Sequence, residues 1–248
     1  METELTGGNV AGRVVRVGST VRKPAGPFTD AVDALLRYLA DVGFPGAPRS
    51  YGRDEAGRHV LEYVPGELAD ERRFTDDELR RAGRLIRELH DALAEFRPPA
   101  GATWHVALPA DRDELVCHHD LAPWNLVLGE DRWVFIDWDG AGPGSRMWDL
   151  GYAAHGFVPL RPDGSPSADG PRFRALVDGY GADETQRRSL PGLTGAHTRA
   201  MADLLHRSAE TGAQPWARLN AEGHGQYWSE AAGYVERHEP AWLTALLS

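Results

Sequence analysis

The apolar pattern of this chain changes period at Thr75, and the change requires a strand-rich segment to be followed by a helical one. Before Thr75, short apolar runs are broken by glycine. Arg13-Val14-Val15-Arg16-Val17, a Gly18-Ser19 turn and Thr20-Val21-Arg22-Lys23 before Pro24 read as a strand pair. Thr29 can cap a helix from about Asp30 to Val42, with Val32, Leu35, Leu36 and Leu39 at helical spacing and Gly43 as its stop. Arg49-Ser50-Tyr51 and His59 to Val64 read as strands around a Gly57 turn, and Pro65-Gly66 closes the segment. Thr75 and Glu78 then form a capping box, and Leu79, Ala82, Leu85, Ile86, Leu89 and Leu93 mark one helical face. Asn125 to Leu128 and Trp133 to Ile136 read as a hairpin around Gly129-Glu130-Asp131, and Trp148 to Ser248 reads as helices between Pro/Gly loops. The expected class is α+β, with a small β-rich lobe at residues 1–66 and a larger, mainly helical lobe at 67–248. Chemistry is expected where the lobes meet.

The 248 residues suffice for one large core or two lobes sharing a cleft. Lys+Arg 27 against Asp+Glu 37 leaves a formal charge of −10, which argues against a nucleic-acid partner. The same balance is compatible with a cationic acceptor, because clustered carboxylates raise its local concentration. No apolar run approaches the ~20 residues of a membrane helix. Met1 to Gly8 lacks the basic and apolar regions of a signal peptide, so a cytoplasmic location is expected. Cys117 is the one cysteine, which excludes an internal disulfide; within Leu115-Val116-Cys117 it reads as a small buried hydrophobe.

Chemistry concentrates in His118-His119-Asp120-Leu121-Ala122-Pro123-Trp124-Asn125 and in Phe135-Ile136-Asp137-Trp138-Asp139. Phosphoryl transfer needs an oriented acceptor hydroxyl and a divalent metal on the phosphate oxygens. A carboxylate at a loop start can do the first. An amide oxygen further along the loop and a carboxylate after the next hairpin can supply hard oxygen ligands for the second. The strand–turn–strand between Asn125 and Asp137 returns the chain to its start, so the three groups can converge. A zinc cluster at His118-His119-Asp120 fits poorly, because adjacent side chains on an extended segment face opposite ways and no further ligand stands at usable spacing. Asp139 reads equally as a metal ligand or a solvated carboxylate.

The pattern H-x-D-x-x-x-x-N followed by I-D-W-D resembles the aminoglycoside phosphotransferase family, a branch of the protein-kinase-like fold. Leu89-His90 and the Pro143 to Leu150 segment are similar to that family's sequences as well. The resemblance implies a small-molecule kinase, with ATP or GTP as donor and Mg²⁺ as cofactor. It makes Asp120 the catalytic carboxylate and Asn125 and Asp137 the metal ligands, while His118 and Asp149 hold the loop in shape. Its acceptors are hydroxylated small molecules: aminoglycosides and other antibiotics, or metabolites such as choline, homoserine and sugars.

On the nucleotide side the resemblance places Gly7, Gly8 and Asn9 over the phosphates, although their turn is not G-x-G-x-x-G. Neighbouring strand residues face opposite sides, so one of Arg22 and Lys23 can point into the cleft, and the family register favours Arg22. The backbone of Glu62 and Val64 would meet the base. Asp30 and Asp33 are the acids offered where the family commonly has Glu. For the acceptor, the expected lining groups are Asp139, His155, Trp216, Glu222, Trp228 and Glu230. Two other readings are a nucleotide-binding module with little catalysis and a protein kinase. The second is opposed by the short stretch from Trp138 to Arg146 before Trp148-Asp149-Leu150.

Overall fold

The computed structural model describes residues 2–5, 13–70 and 72–248. Strands β1 (Glu2–Glu4), β2 (Val15–Val17), β3 (Thr20–Lys23), β4 (Ser50–Arg53) and β5 (His59–Glu62) form one antiparallel sheet in the order β1-β2-β3-β5-β4. Strand β1 has no apolar alternation to announce it. All three of its residues are exposed, and it pairs with β2 along the sheet edge. Helix α1 (Thr29–Asp41) crosses between β3 and β4 and buries Val32, Leu35, Leu36 and Leu39. Its cap is not Thr29, which lies one residue inside the helix. The Phe28 position is the N-cap, without a side-chain bond, and Thr29 Oγ1 instead accepts from the Gly26 amide at 2.8 Å.

Strands β6 (Glu67–Leu68), β8 (Leu126–Leu128) and β9 (Trp133–Phe135) form a small antiparallel sheet in the order β6-β8-β9. A second pair joins β7 (Leu115–Cys117) to β10 (Gly142–Gly144), in register Gly142 to Cys117. The helices are α2 (Asp76–Leu93), α3 (Arg146–Phe157), α4 (Pro166–Tyr180), α5 (Glu184–Thr211), α6 (Trp216–Ala221), α7 (His224–Arg237) and α8 (Glu239–Leu247). The capping box of α2 forms as expected: the Glu78 amide donates to Thr75 Oγ1 at 3.3 Å, and the Thr75 amide donates to Glu78 Oε2 at 2.8 Å.

Helices α2 and α4 approach closely because glycines stand at the crossing. A Cβ on Gly83 would lie 2.1 Å from Leu176 O, and one on Gly179 would lie 2.1 Å from Arg80 O. One continuous core runs from Leu35 and Leu39 of the small lobe through Leu89, Phe135, Trp138 and Leu150 to Trp242. The β-rich and helical parts therefore share one apolar core, in the two-lobed arrangement expected. Cys117 is fully buried, which pushes its thiol well above the usual range and makes it a packed hydrophobe. Among the described residues, no helix is long and apolar enough to cross a membrane.

Candidate active site

The loop that follows β7 is built around a buried carboxylate. Asp149, fully buried in the first turn of α3, accepts from the His118 amide at 3.2 Å and the His119 amide at 2.9 Å. His90 of α2 adds a third contact to it at 3.2 Å and is steadied in turn by the Tyr180 hydroxyl at 3.0 Å. Burial alone would raise the Asp149 pKa, but the His90 bond and the neighbouring histidines hold it down at about 2. With both amides tied, His119 takes a left-handed conformation, φ 65°, uncommon for a non-glycine residue. Its Nε2 reaches the carbonyls of Gly142 and Pro143 at 3.2 and 3.1 Å.

His118 ties the loop to the strand end. The Asp120 amide donates to His118 Nδ1 at 3.2 Å, so Nε2 carries the proton and donates to Ile136 O at 3.1 Å. Burial pushes the His118 pKa below its ordinary value, consistent with this neutral tautomer. The Ile136 amide donates to Asn125 O at 2.8 Å, which closes the hairpin and brings Asp137 back to the loop. Asp137 itself adopts φ 62°, two residues past the end of β9.

Asp120 is fixed at both oxygens. Asn125 Nδ2 donates to Oδ2 at 2.7 Å and to the Asp120 carbonyl at 3.0 Å, and the Tyr152 hydroxyl donates to Oδ1 at 2.6 Å. Burial raises the Asp120 pKa, while the bonds from Tyr152 and Asn125 pull against that rise. With the Asn125 nitrogen turned to Asp120, its amide oxygen is the atom left for a metal. Sequence reasoning did not find Tyr152. Its one signal is a tyrosine three residues after Asp149, one helical turn along the face that meets the loop.

Of the two candidate cations on β3, Lys23 and not Arg22 faces the acidic turn after β9. Lys23 Nζ lies 2.6 Å from Asp139 Oδ1 and 3.2 Å from Asp137 Oδ1, and its side chain is almost fully buried. Burial pulls the ammonium pKa down, but the two carboxylates outweigh it and the net shift is upward. Arg22 points away, with Nε 3.4 Å from Asp54 Oδ2. Asp139 is thus an ion-pair partner, not a solvated group, and burial raises its pKa.

The α1 acids do not reach Lys23. Asp30 pairs with Arg53 at 2.7 Å, and Asp33 pairs with Arg37 at 2.9 Å and accepts from Ser50 Oγ at 2.5 Å. Ser50 continues to His59 Nε2 at 2.9 Å, and His59 stands opposite Lys23 across the β3–β5 ladder.

Gly7, Gly8 and Asn9 lie outside the described residues. The Glu62 amide is spent on Arg49 O at 2.8 Å and its carboxylate on Arg132 at 2.6 Å. Val64 packs with Val127, Val134 and Ile136 in a small apolar cluster where the lobe connector meets the β8–β9 hairpin. Of the expected lining groups, His155, Trp216 and Trp228 gather near Tyr152. Glu222 and Glu230 are instead held by Arg218 and Gln226, each at 2.9 Å.

This donor set suits a hard divalent cation. Asp137 and Asp139 already grip a positive charge, the Lys23 ammonium, and the Asn125 amide oxygen stands beside Asp120.

Three comparisons bear on the chain. A family model described as "Phosphotransferase enzyme family" matches residues 101–191, which include the whole loop and hairpin. The trifolitoxin immunity protein of Rhizobium leguminosarum bv. trifolii is 34% identical over 197 residues, covering 74% of this chain and 75% of that protein. Among solved structures, the amicoumacin kinase hAmiN, in complex with AMP-PNP, Ca²⁺ and Ami, superposes with a TM-score of 0.70 at 13% identity. That match covers 94% of this chain and 88% of the kinase. A microcompartment-associated aminopropanol kinase superposes with a TM-score of 0.68 at 16% identity, over 98% and 94% of the two chains. At such identities these likenesses establish the fold.

Proposed function

The chain belongs to the phosphotransferase enzyme family, and we propose that it moves the γ-phosphate of ATP or GTP to a hydroxyl of a small molecule. The observation that carries this reading is the convergence of Asp120, Asn125, Asp137 and Lys23 at the junction of the lobes. In this reading residues 1–66 form the nucleotide lobe, with Lys23 on the phosphates and the Glu62 carbonyl and Val64 at the base. Residues 67–248 carry the loop and the acceptor site.

Asp120 orients the acceptor hydroxyl and takes its proton as the oxygen attacks the γ-phosphorus. The bond from that phosphorus to the β–γ bridging oxygen breaks, and the nucleoside diphosphate leaves with the electron pair. Tyr152 and Asn125 hold the carboxylate still, so little reorganisation is needed during transfer. Asn125 and Asp137, with Asp139 beside them, would hold Mg²⁺, which supplies charge neutralisation at the phosphate oxygens when bound with nucleotide. Lys23 must leave at least one of its carboxylates to reach the phosphates.

Similarity to a toxin immunity protein and the fold shared with an antibiotic kinase support an antibiotic as acceptor. The fold shared with an aminopropanol kinase supports the alternative of a metabolite alcohol. A screen of hydroxylated antibiotics and metabolites for acceptor-dependent ADP or GDP release separates the two. Asp120→Ala should abolish release with every active acceptor while nucleotide binding persists. Unchanged turnover in that variant would sink the proposal.

A further inference from the structure

Lys23 stands opposite His59 in the β3–β5 ladder. Directly opposed residues leave the sheet on the same face, with Cβ atoms roughly 4.5–5.5 Å apart. Both side chains are buried, and Leu61, which shares their face, belongs to the core that includes Val32 and Leu35 of α1. Behind His59 runs a chain of hydrogen bonds. His59 Nε2 meets Ser50 Oγ at 2.9 Å, Ser50 Oγ donates to Asp33 Oδ1 at 2.5 Å, and Asp33 Oδ2 accepts from Arg37 Nε at 2.9 Å. An acid of α1 is thereby linked to the strand neighbour of Lys23 through Ser50, although it makes no contact with Lys23 itself.

This chain has one consistent assignment of protons. Asp33 pairs with Arg37 and, as a carboxylate, only accepts, so the single Ser50 hydroxyl proton lies toward Asp33. Ser50 Oγ must then accept from His59 Nε2, which therefore carries the ring proton. Burial first, and the Lys23 charge next, hold His59 at about 4, so at neutral pH the ring carries that one proton only. Its Nδ1 is left as a bare acceptor on the face it shares with a buried ammonium. Arg53, the other strand neighbour of His59, does not compete for it: its guanidinium is bound to Asp30 at 2.7 Å and to the Gly57 carbonyl at 3.4 Å.

We propose that His59 is the positioning residue for Lys23: when the ammonium gives up Asp139, His59 Nδ1 accepts one of its N–H groups and aims the others at the phosphates. Ser50 and Asp33 fix the ring for this task, so α1 holds the cation through a neutral relay instead of a direct ion pair. The proposal rests on the phosphotransfer reading for what Lys23 grips, and deepens it by naming what holds the cation there. A neutral acceptor suits the role. Of the three ammonium donors, Asp139 and Asp137 engage two while the cleft contact is made. Imidazole can take over one of them without cancelling the positive charge that the nucleotide needs.

Two measurements on the full chain test this. In ¹⁵N-histidine spectra the His59 ring, assigned by its loss in His59→Gln, should show Nε2 protonated and Nδ1 bare. Asp139→Ala frees one Lys23 donor, so the Nδ1 resonance should move upfield as it accepts that bond, with no nucleotide present. Adding Lys23→Met to Asp139→Ala should cancel the move. A proton found on Nδ1, or an Nδ1 resonance indifferent to Asp139→Ala, would overturn the proposal. The second measurement is calorimetric binding of MgATP and MgGTP. His59→Asn sets an amide oxygen near the Nδ1 position and should bind nucleotide within about threefold of wild type. His59→Gln keeps a donor toward Ser50 but offers no acceptor to Lys23. It should bind about tenfold more weakly at an unchanged melting temperature, the order expected for one lost hydrogen bond to a charged group. The reverse ranking would make His59 a brace between α1 and the sheet, and the proposal would fall while nucleotide binding stood. A wild type that binds neither nucleotide, with Nδ1 still responding to Asp139→Ala, would support the Lys23–His59 pairing and count against phosphotransfer.

Discussion

Lys23 Nζ lies 2.6 Å from Asp139 Oδ1, so the cation of the small lobe is held by the acidic turn of the large one. The pair spans the cleft and is reinforced by Asp137 at 3.2 Å. It substitutes for the ion pair that α1 does not make, since Asp30 and Asp33 are bound elsewhere. In the proposed reading, nucleotide binding competes with this contact between the lobes.

Removing that cation should leave two carboxylates facing each other. Lys23→Met is expected to lose about 1–3 kcal/mol of stability, because one member of a largely buried cluster is left uncompensated. Mg²⁺ should restore part of the loss by occupying the same acids. Thermal unfolding with and without Mg²⁺ checks this: the metal-induced rise should be larger in the variant than in the wild type.

Tyr152→Phe keeps the ring on Trp228 and deletes only the 2.6 Å bond to Asp120. A hydrogen bond to a charged group contributes about 1.5–3 kcal/mol, and part of that should appear as lost positioning. With an acceptor from the screen, kcat should fall about tenfold, equivalent to about 1.4 kcal/mol of barrier, while the nucleotide KM stays within twofold. Unaltered kcat would remove Tyr152 from the mechanism.

Asp149→Ala strands the buried His118 amide and His90 ring and removes the partner of the half-buried His119 amide. The expected cost is about 3–5 kcal/mol, read from urea unfolding. A variant that unfolds at the wild-type midpoint would show that the loop is braced by other contacts.

Stability should fall with acidity. His59 and His155 are held at about 4 and His197 at about 3, chiefly by burial, against 6.5 for an ordinary histidine. Between those values the unfolded chain binds protons that the folded chain refuses, so stability is full above about pH 6.5 and drops as pH falls toward 4. Each histidine contributes at most about 1.4 kcal/mol per pH unit. Urea unfolding at pH 7.5, 6 and 5 should give a declining midpoint, and His155→Gln should flatten part of the decline. A midpoint independent of pH would contradict the buried neutral histidines.

The legible parts of this protein are local. The capping box at Thr75, the apolar face of α2 and the hairpin returning Asp137 toward Asn125 involve residues close in the chain, whose spacing dictates their geometry. Strand β1 was not legible, because an exposed edge strand carries no alternation to read. Nor was the β7–β10 pair, whose Gly142-Pro143-Gly144 segment has the composition of a turn.

Sequence by itself determined the candidate set: one carboxylate, one amide and a second carboxylate, spaced so that a loop and a hairpin bring them together. It could not decide between Arg22 and Lys23, since an isolated strand presents both faces alike. That choice came from pairing β3 against β5, which turns Lys23 toward Asp137 and leaves Arg22 to Asp54. Tertiary packing also decided that Asp120 meets Tyr152, thirty-two positions away, and that Tyr152 opens onto a wall of rings. Contacts of that kind arise from how α3, α5 and α7 stack, and no local spacing encodes them.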